Sequence, residues 1–148
     1  MKWIPRSGKL EAGGCIWLPR MIDKARRFIV LGSGYLLDGE YMFGEHDFAD
    51  GRLLRFLGLS SAQIVEIVRN EPDDARAAER IIAASGRTPE ECRAFSRRFR
   101  LVVGPFLSMI DADEGRAPAG AWTTFLRALY NTIVVPPALA AFRRASRR

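Results

Sequence analysis

Helix start and stop signals divide most of this chain into segments that suit helices and leave little room for a sheet. The clearest start is the run 88–91, where the Thr88 hydroxyl can accept from the backbone N–H of Glu91 while the Glu91 carboxylate reaches back. Pro89 is pre-set for the first helical turn, and Gly86 is placed to end the helix before it. The pattern predicts a succession of capped, mostly short helices.

The first helix is predicted to begin near Pro19 and to be stopped by Gly32, Gly34 and Gly39. Its apolar residues recur at the spacing of a single helical face, which should face the core. The further predicted helices are Arg52–Leu57, Ser61–Arg69, Asp73–Ser85, one starting at Pro89, Phe106–Ala112, Ala119–Val135 and Ala138–Arg148. Residues 1–14 are expected to form an irregular lead-in.

Between the first helix and about Gly51 the sequence is rich in aromatic and acidic residues and shows no sustained two-residue alternation. A loop of that length in a small domain is unusual unless it is functional or disordered, and its aromatic content argues against disorder. We therefore predict a mainly α fold, one compact domain over residues 1–148 with about six or seven helices and this long loop after the first of them.

The net charge of +6 is concentrated at one end, because four arginines lie in the last six residues. A duplex-binding domain usually has a broad basic face, so nucleic-acid binding is the least favoured function. The tail could instead contact an acidic partner or anionic lipid, or be a solvated helix end. No apolar run has the length of a membrane span, and a cytoplasmic location is expected. Cys15 and Cys92 lack metal-ligand spacing and are expected to be reduced thiols.

Cations on the first helix form one candidate site. Arg20, Lys24 and Arg27 fall on a flank beside the apolar arc, with Lys24 near Trp17. Partial desolvation there could lower the pKa of the lysine and prepare it to bind an anionic group or to act as a base. The simpler alternative is a solvated face on which Asp23 pairs with Arg27.

The loop after the first helix supplies a second candidate group. His46 is the only histidine, which excludes multi-histidine metal sites but permits acid–base catalysis with Asp47 beside it. Tyr41 could hydrogen-bond a substrate. An exposed or hydrogen-bonded loop role for His46 is the alternative.

Asp111, Asp113 and Glu114 form the densest acidic cluster outside the loop. The cluster resembles the start of a calcium loop, but Trp122 occupies the twelfth position, where a bidentate glutamate is required. Substrate binding by Asp111 and Asp113 is expected, with no metal assigned. A magnesium ion held by two carboxylates, or helix-end capping with a salt bridge to Arg116, would also account for these residues.

Four strings stand out in this sequence: Trp17-Leu18-Pro19-Arg20, Ile22-Asp23-Lys24-Ala25-Arg26, Phe56-Leu57-Gly58 and Ile110-Asp111-Ala112-Asp113-Glu114-Gly115-Arg116. With them the sequence resembles the bacterial family DUF5069, a domain of unknown function. The similarity covers about residues 13–116 and leaves a helical extension over about 119–148. It implies a mostly helical domain and candidate positions, but no reaction.

The expected function is that of a small cofactor-independent enzyme, an isomerase, cyclase or lyase, using acid–base catalysis on an organic small molecule in an aromatic-lined pocket. His46, Asp47 and Lys24 would be catalytic, and the substrate-binding residues would be Trp17, Arg20, Tyr41, Asp111 and Asp113. The alternative is a non-catalytic ligand-binding or protein-interaction module. The C-terminal helices could also join two copies in a homo-oligomer.

Overall fold

Six helices and one small hairpin make up the described part of the chain. The computed structural model describes residues 3–32, 35, 41–133, 136–137, 140 and 144. The elements are β1 (Glu11–Ala12), β2 (Cys15–Ile16), α1 (Leu18–Leu31), α2 (Phe48–Leu57), α3 (Ser61–Asn70), α4 (Asp74–Ser85), α5 (Pro89–Asp113) and α6 (Ala121–Ile133). The fold is mainly α, as the sequence predicted.

Local capping explains where several helices begin. Thr88 accepts from the backbone N–H of Glu91, whose carboxylate accepts from the Thr88 N–H, so the predicted capping box of α5 is formed. Ser60 and Gln63 form the same arrangement at the start of α3. Asp73 caps α4 by accepting from the N–H of Arg76.

Two predicted boundaries were wrong. The second helix begins at Phe48 rather than Arg52, because the Asp47 carboxylate accepts from the N–H groups of Ala49 and Asp50 and caps it. The predicted loop therefore ends at Asp47 instead of Gly51. Within its span Tyr35 is helical, and residues 33–34 and 36–40 lie outside the described residues. The predicted break before Phe106 is also absent, since α5 continues through Pro105. Packing of buried side chains on both sides of the proline overrides its helix-breaking tendency.

At the C-terminal end, α6 lies within the predicted helix Ala119–Val135. Val134, Val135 and most of the final predicted helix Ala138–Arg148 lie outside the described residues. Among the described residues, no helix combines the length and apolar character needed to cross a bilayer.

The core forms around α1, which is buried along its first two turns and packs against α3 and α4. The lead-in over residues 1–14, predicted to be irregular, contains β1, which forms an antiparallel hairpin with β2: Glu11 pairs with Ile16 and Ala12 with Cys15. Ser96 ties this hairpin to α5: its Oγ accepts from the N–H of Ile16 at 2.8 Å and donates to the carbonyl of Gly14.

Both cysteines are buried, free thiols. Burial raises the pKa of the Cys15 thiol, and the neighbouring Cys92 raises it further. Thiols held in this form are poor nucleophiles, which suits a packing role.

Candidate functional site

A cavity of about 360 Å³ opens where α1, the loop before α2, α5 and α6 meet. Its lining combines aromatic and aliphatic side chains with a few charged groups: Trp17, Arg20, Lys24, Tyr41, Met42, Asp47, Phe48, Ala49, Val103, Phe106, Met109, Ile110, Asp113, Glu114, Tyr130 and Asn131. Such a mixture is typical of small-molecule sites. Six of the eight residues predicted for the site are in this lining: Trp17, Arg20, Lys24, Tyr41, Asp47 and Asp113.

Lys24 is the central cation of the cavity, and its side chain is only 2% exposed. Its Nζ lies 2.7 Å from Oδ1 of Asp50, donates to the carbonyl oxygen of Met42 at 2.9 Å and lies 3.9 Å from Oδ1 of Asp47. An ammonium has three N–H donors, and two are engaged by Asp50 and Met42. The remaining donor can serve a group in the cavity.

Asp50 lies behind the lysine and is completely buried. Its carboxylate accepts from the indole Nε1 of Trp17 at 2.6 Å and from the N–H of Gly44 at 3.0 Å, in addition to pairing with Lys24. Burial raises the pKa of Asp50 to about 6, although the positive charge of Lys24 opposes that rise. A carboxyl group whose pKa is raised by burial thus contacts the lysine of the cavity.

Trp17 connects the hairpin to α1 and adopts φ 73, a left-handed conformation that is rare for a residue with a side chain. Its indole hydrogen bond to Asp50 helps to hold this conformation. The guanidinium of Arg20 and the ammonium of Lys24 lie 5.2 and 5.3 Å from the centre of its ring. Strain of this kind often accompanies functional sites, where the surrounding contacts maintain it.

Arg20 is also buried, and its guanidinium binds groups of the protein on other segments of the chain. Both terminal nitrogens donate to the Glu114 carboxylate, one of them at 3.0 Å, and one donates to the carbonyl of Arg6 at 2.8 Å. The guanidinium lies over the ring of Tyr41 as well as that of Trp17. Burial lowers the pKa of Arg20, and nearby negative charges limit that decrease. Arg20 therefore joins α1 to the end of α5.

Asp47 faces the cavity from the N-terminus of α2. The hydrogen bonds found for its carboxylate within the described residues all go to Oδ1, from the N–H groups of Ala49 and Asp50. Across the cavity, burial raises the pKa of Tyr130 and so keeps its hydroxyl protonated. The site thus contains a carboxylate, an ammonium and a phenol around one space.

The other predicted acidic residues divide between the cavity and the surface around it. Asp113 lines the cavity and pairs with Arg127 of α6. Asp111 does not line it: its carboxylate accepts from Ser7 at 2.8 Å and pairs with Lys9 at 2.9 Å. Across the described ranges, no group of three or more His, Cys, Asp or Glu side chains has the arrangement to hold a metal ion.

The predicted catalytic His46 is exposed and is not part of the cavity lining. Its position follows from the local structure, since it precedes the cap residue Asp47 in a turn on the surface. The Asp23 carboxylate, expected to face Arg27 on a solvated surface, is bound by Arg6 at 2.7 Å.

Sequence reasoning missed several residues of the site. Asp50, Phe106 and Tyr130 were not selected, and Glu114 was noted only as part of an acidic cluster. The spacing of Asp47 and Asp50 indicates only a helix start, because the place of Asp50 beside Lys24 and Trp17 depends on contacts with a distant part of the chain. The contact between Glu114 and Arg20 spans 94 residues, and no local pattern indicates it.

Comparison with known proteins identifies a family and no more. The model of the domain of unknown function DUF5069 matches residues 2–105, which begins before the strings noted above and ends before Ile110–Arg116. No curated protein matches the chain, and no solved structure does. Since the family match extends over well over half of the sequence, this chain belongs to the DUF5069 family.

Proposed function

We propose that this protein is a cofactor-independent enzyme that uses acid–base catalysis on a small organic molecule in the cavity beside Lys24. The reaction would be an isomerisation, cyclisation or elimination. The observation that carries the proposal is the proximity of the Lys24 ammonium and the Asp47 carboxylate, 3.9 Å apart on the wall of a largely apolar cavity. Proton transfer by positioned groups is most effective in such a partly dry site.

In this mechanism Asp47 takes a proton from a carbon next to a carbonyl group. The electron pair of the broken C–H bond forms a C=C bond while the π pair of the carbonyl moves to its oxygen, and Lys24 donates a hydrogen bond to that oxygen as negative charge develops. Returning the proton to a different carbon gives an isomer, whereas loss of a leaving group gives an elimination product. Asp50, behind Lys24, acts as a positioning residue that orients the ammonium.

The pairing of charges around the cavity favours an uncharged substrate. Arg20 is paired with Glu114, Lys24 with Asp50, and Asp113 with Arg127. A ligand with a full charge would have to disrupt one of these pairs, but a neutral carbonyl compound acquires its charge only during the reaction. The free buried thiols also suit the reducing conditions of the cytoplasm, where we propose that the enzyme acts.

A non-catalytic ligand-binding module is the second candidate. It is supported by the same charge pairing, because ions that are already paired can serve to hold the walls of a binding cavity in place. In that case the cavity would bind its ligand without changing it.

Ligand-observed NMR in D₂O can distinguish these functions. A panel of small ketones and aldehydes is screened for binding, and each compound that binds is then followed for deuterium incorporation next to the carbonyl. We expect binding and exchange in the wild-type protein, with exchange about 10²-fold slower or more in Asp47→Asn. The asparagine keeps an oxygen that can cap α2, so the fold should persist.

Asp73→Asn is the matched control, because Asp73 also caps a helix but lies outside the cavity lining. Lys24→Met combined with Asp50→Asn removes both members of the buried pair and should also abolish exchange. Lys9→Met is the control for this double variant, because Lys9 is paired with a carboxylate, Asp111, at the surface. Unchanged exchange in Asp47→Asn would remove the role given to that residue, and binding without exchange of any compound would favour the ligand-binding module.

A further inference from the structure

The whole net charge of the protein lies in its last 34 residues. All 17 acidic residues precede Gly115, and they are matched by 17 of the 23 basic residues. The six remaining arginines follow Gly115 without a single acid among them. Arg116 and Arg127 are paired with Glu114 and Asp113, which lie before this segment. The other four are Arg143, Arg144, Arg147 and Arg148, which we call the arginine tail.

The same segment presents an unusual apolar surface. Trp122, Phe125, Leu129 and Ile133 of α6 are all exposed, Trp122 by 63% and Ile133 by 61%. Their spacing places them along one side of the helix. We call these four residues the α6 stripe. The helix is anchored to α5 on the adjacent flank, where Leu126 is buried and Tyr130 contacts the ring of Phe106.

We propose that the α6 stripe and the arginine tail together bind the surface of an anionic lipid bilayer. An amphipathic helix that lies in a membrane interface has an apolar face with tryptophan, phenylalanine and leucine, and basic residues that attract acidic head groups. Both features occur here in one acid-free segment. The aromatic pair Trp122 and Phe125, whose stacked rings are 5.6 Å apart, would enter the head-group region first.

Other occupants account for only part of this surface. A second copy of the chain could cover the α6 stripe, but it would bring a second arginine tail with no acid in its own segment to offset the repulsion. Nucleic acid would attract the tail, but it gives no reason for Leu129 and Ile133 to be exposed. A bilayer with anionic lipids satisfies the apolar and the charged part at once.

Co-sedimentation of the 148-residue protein with vesicles tests the proposal. One set of vesicles contains equal parts of phosphatidylcholine and phosphatidylglycerol, and the other contains phosphatidylcholine alone. We expect binding to the first set, weaker binding at high salt and little binding to the second. Equal binding to both sets would contradict the charge argument, and no binding to either would overturn the proposal.

Two variants separate the contributions. Replacing the four tail arginines with glutamine should lower the affinity for the anionic vesicles by several hundred-fold, at roughly fivefold for each charge. Adding Trp122→Ser and Phe125→Ser to that variant should abolish most of the vesicle binding that remains. Val30→Ser is the matched control, since Val30 is an exposed apolar residue on α1. Circular dichroism verifies that each variant is folded.

Light scattering tests whether a second copy of the chain covers the α6 stripe, and an RNA-binding assay tests whether nucleic acid binds the arginine tail. A dimer that dissociates in the Trp122→Ser, Phe125→Ser variant, with no vesicle binding by the wild type, would assign the α6 stripe to a second copy and refute the proposal. Tight binding of single-stranded RNA that depends on the tail but not on the stripe, again without vesicle binding, would also refute it.

Discussion

The difference in stability between the Asp50→Asn variant and the wild-type protein should shift in favour of the variant as the pH rises. This is expected although the substitution removes the carboxylate partner of a buried lysine. The pKa of Asp50 is about 6 in the folded protein and its ordinary value is 3.8. Between these values the folded state binds the proton more tightly than the unfolded state, so wild-type stability falls as the pH rises. Burial of the charged carboxylate costs more than its pairing with Lys24 returns.

The magnitude follows from the pKa difference. A difference of about 2 pKa units, at about 1.4 kcal/mol for each, gives about 3 kcal/mol. Asparagine resembles the protonated acid and does not titrate, so the variant escapes this loss. The free energy of unfolding of Asp50→Asn minus that of wild type should therefore rise by about 3 kcal/mol between about pH 3 and pH 8.

Urea unfolding followed by circular dichroism at several pH values measures this difference, in which the titration of groups that do not interact with Asp50 cancels. Glu91→Gln provides a control in which the stability of the variant relative to wild type should change with pH in the opposite direction. The hydrogen bond from the backbone of Thr88 lowers the pKa of Glu91, so wild type gains stability relative to that variant as the pH rises. A relative stability of Asp50→Asn that falls with rising pH would show that the attraction to Lys24 outweighs desolvation, and would refute the reasoning.

Two further changes test the packing around the site. Gly8→Ala should destabilise the protein by about 1–3 kcal/mol, because the added Cβ would lie 2.3 Å from the Trp17 ring. Gly104→Ala should stabilise the protein by about 0.5–1 kcal/mol, because Gly104 is helical and a Cβ there would have open space around it. Equal effects of the two in thermal unfolding would argue against this packing. Ser96→Ala should cost about 1–3 kcal/mol, since it leaves the buried N–H of Ile16 without its acceptor. Loss of hydrogen-exchange protection at that N–H would accompany it, and an unchanged exchange rate would contradict the assignment.

The parts of the fold that the sequence predicted are those determined by neighbouring residues. The capping box of α5 needs only Thr88 and Glu91, which are three residues apart, and it formed as predicted. The start of α2 was missed because Asp47 was interpreted as part of an acidic loop and not as a cap. The continuation of α5 through Pro105 depends on packing against the rest of the protein, which no local signal records.

The candidate site was predictable in part for the same reason. Lys24 and Trp17 were selected because helical spacing brings them together beside an apolar face. His46 was selected for its chemistry, and its exposure could not be known without the turn that precedes α2. The burial of Asp50 and the pairing of Arg20 with Glu114 depend on long-range contacts, so they required the three-dimensional structure.

The end of the family match at residue 105 divides the lining of the cavity into two halves. Lys24 and Asp47 lie within the matched part, whereas Phe106, Asp113 and Tyr130, on the opposite wall, lie beyond it. The groups proposed for proton transfer thus belong to the shared domain, and much of the surface that would select a substrate belongs to the following segment. A relative that kept the first half and replaced the second could retain the same chemistry and act on a different molecule.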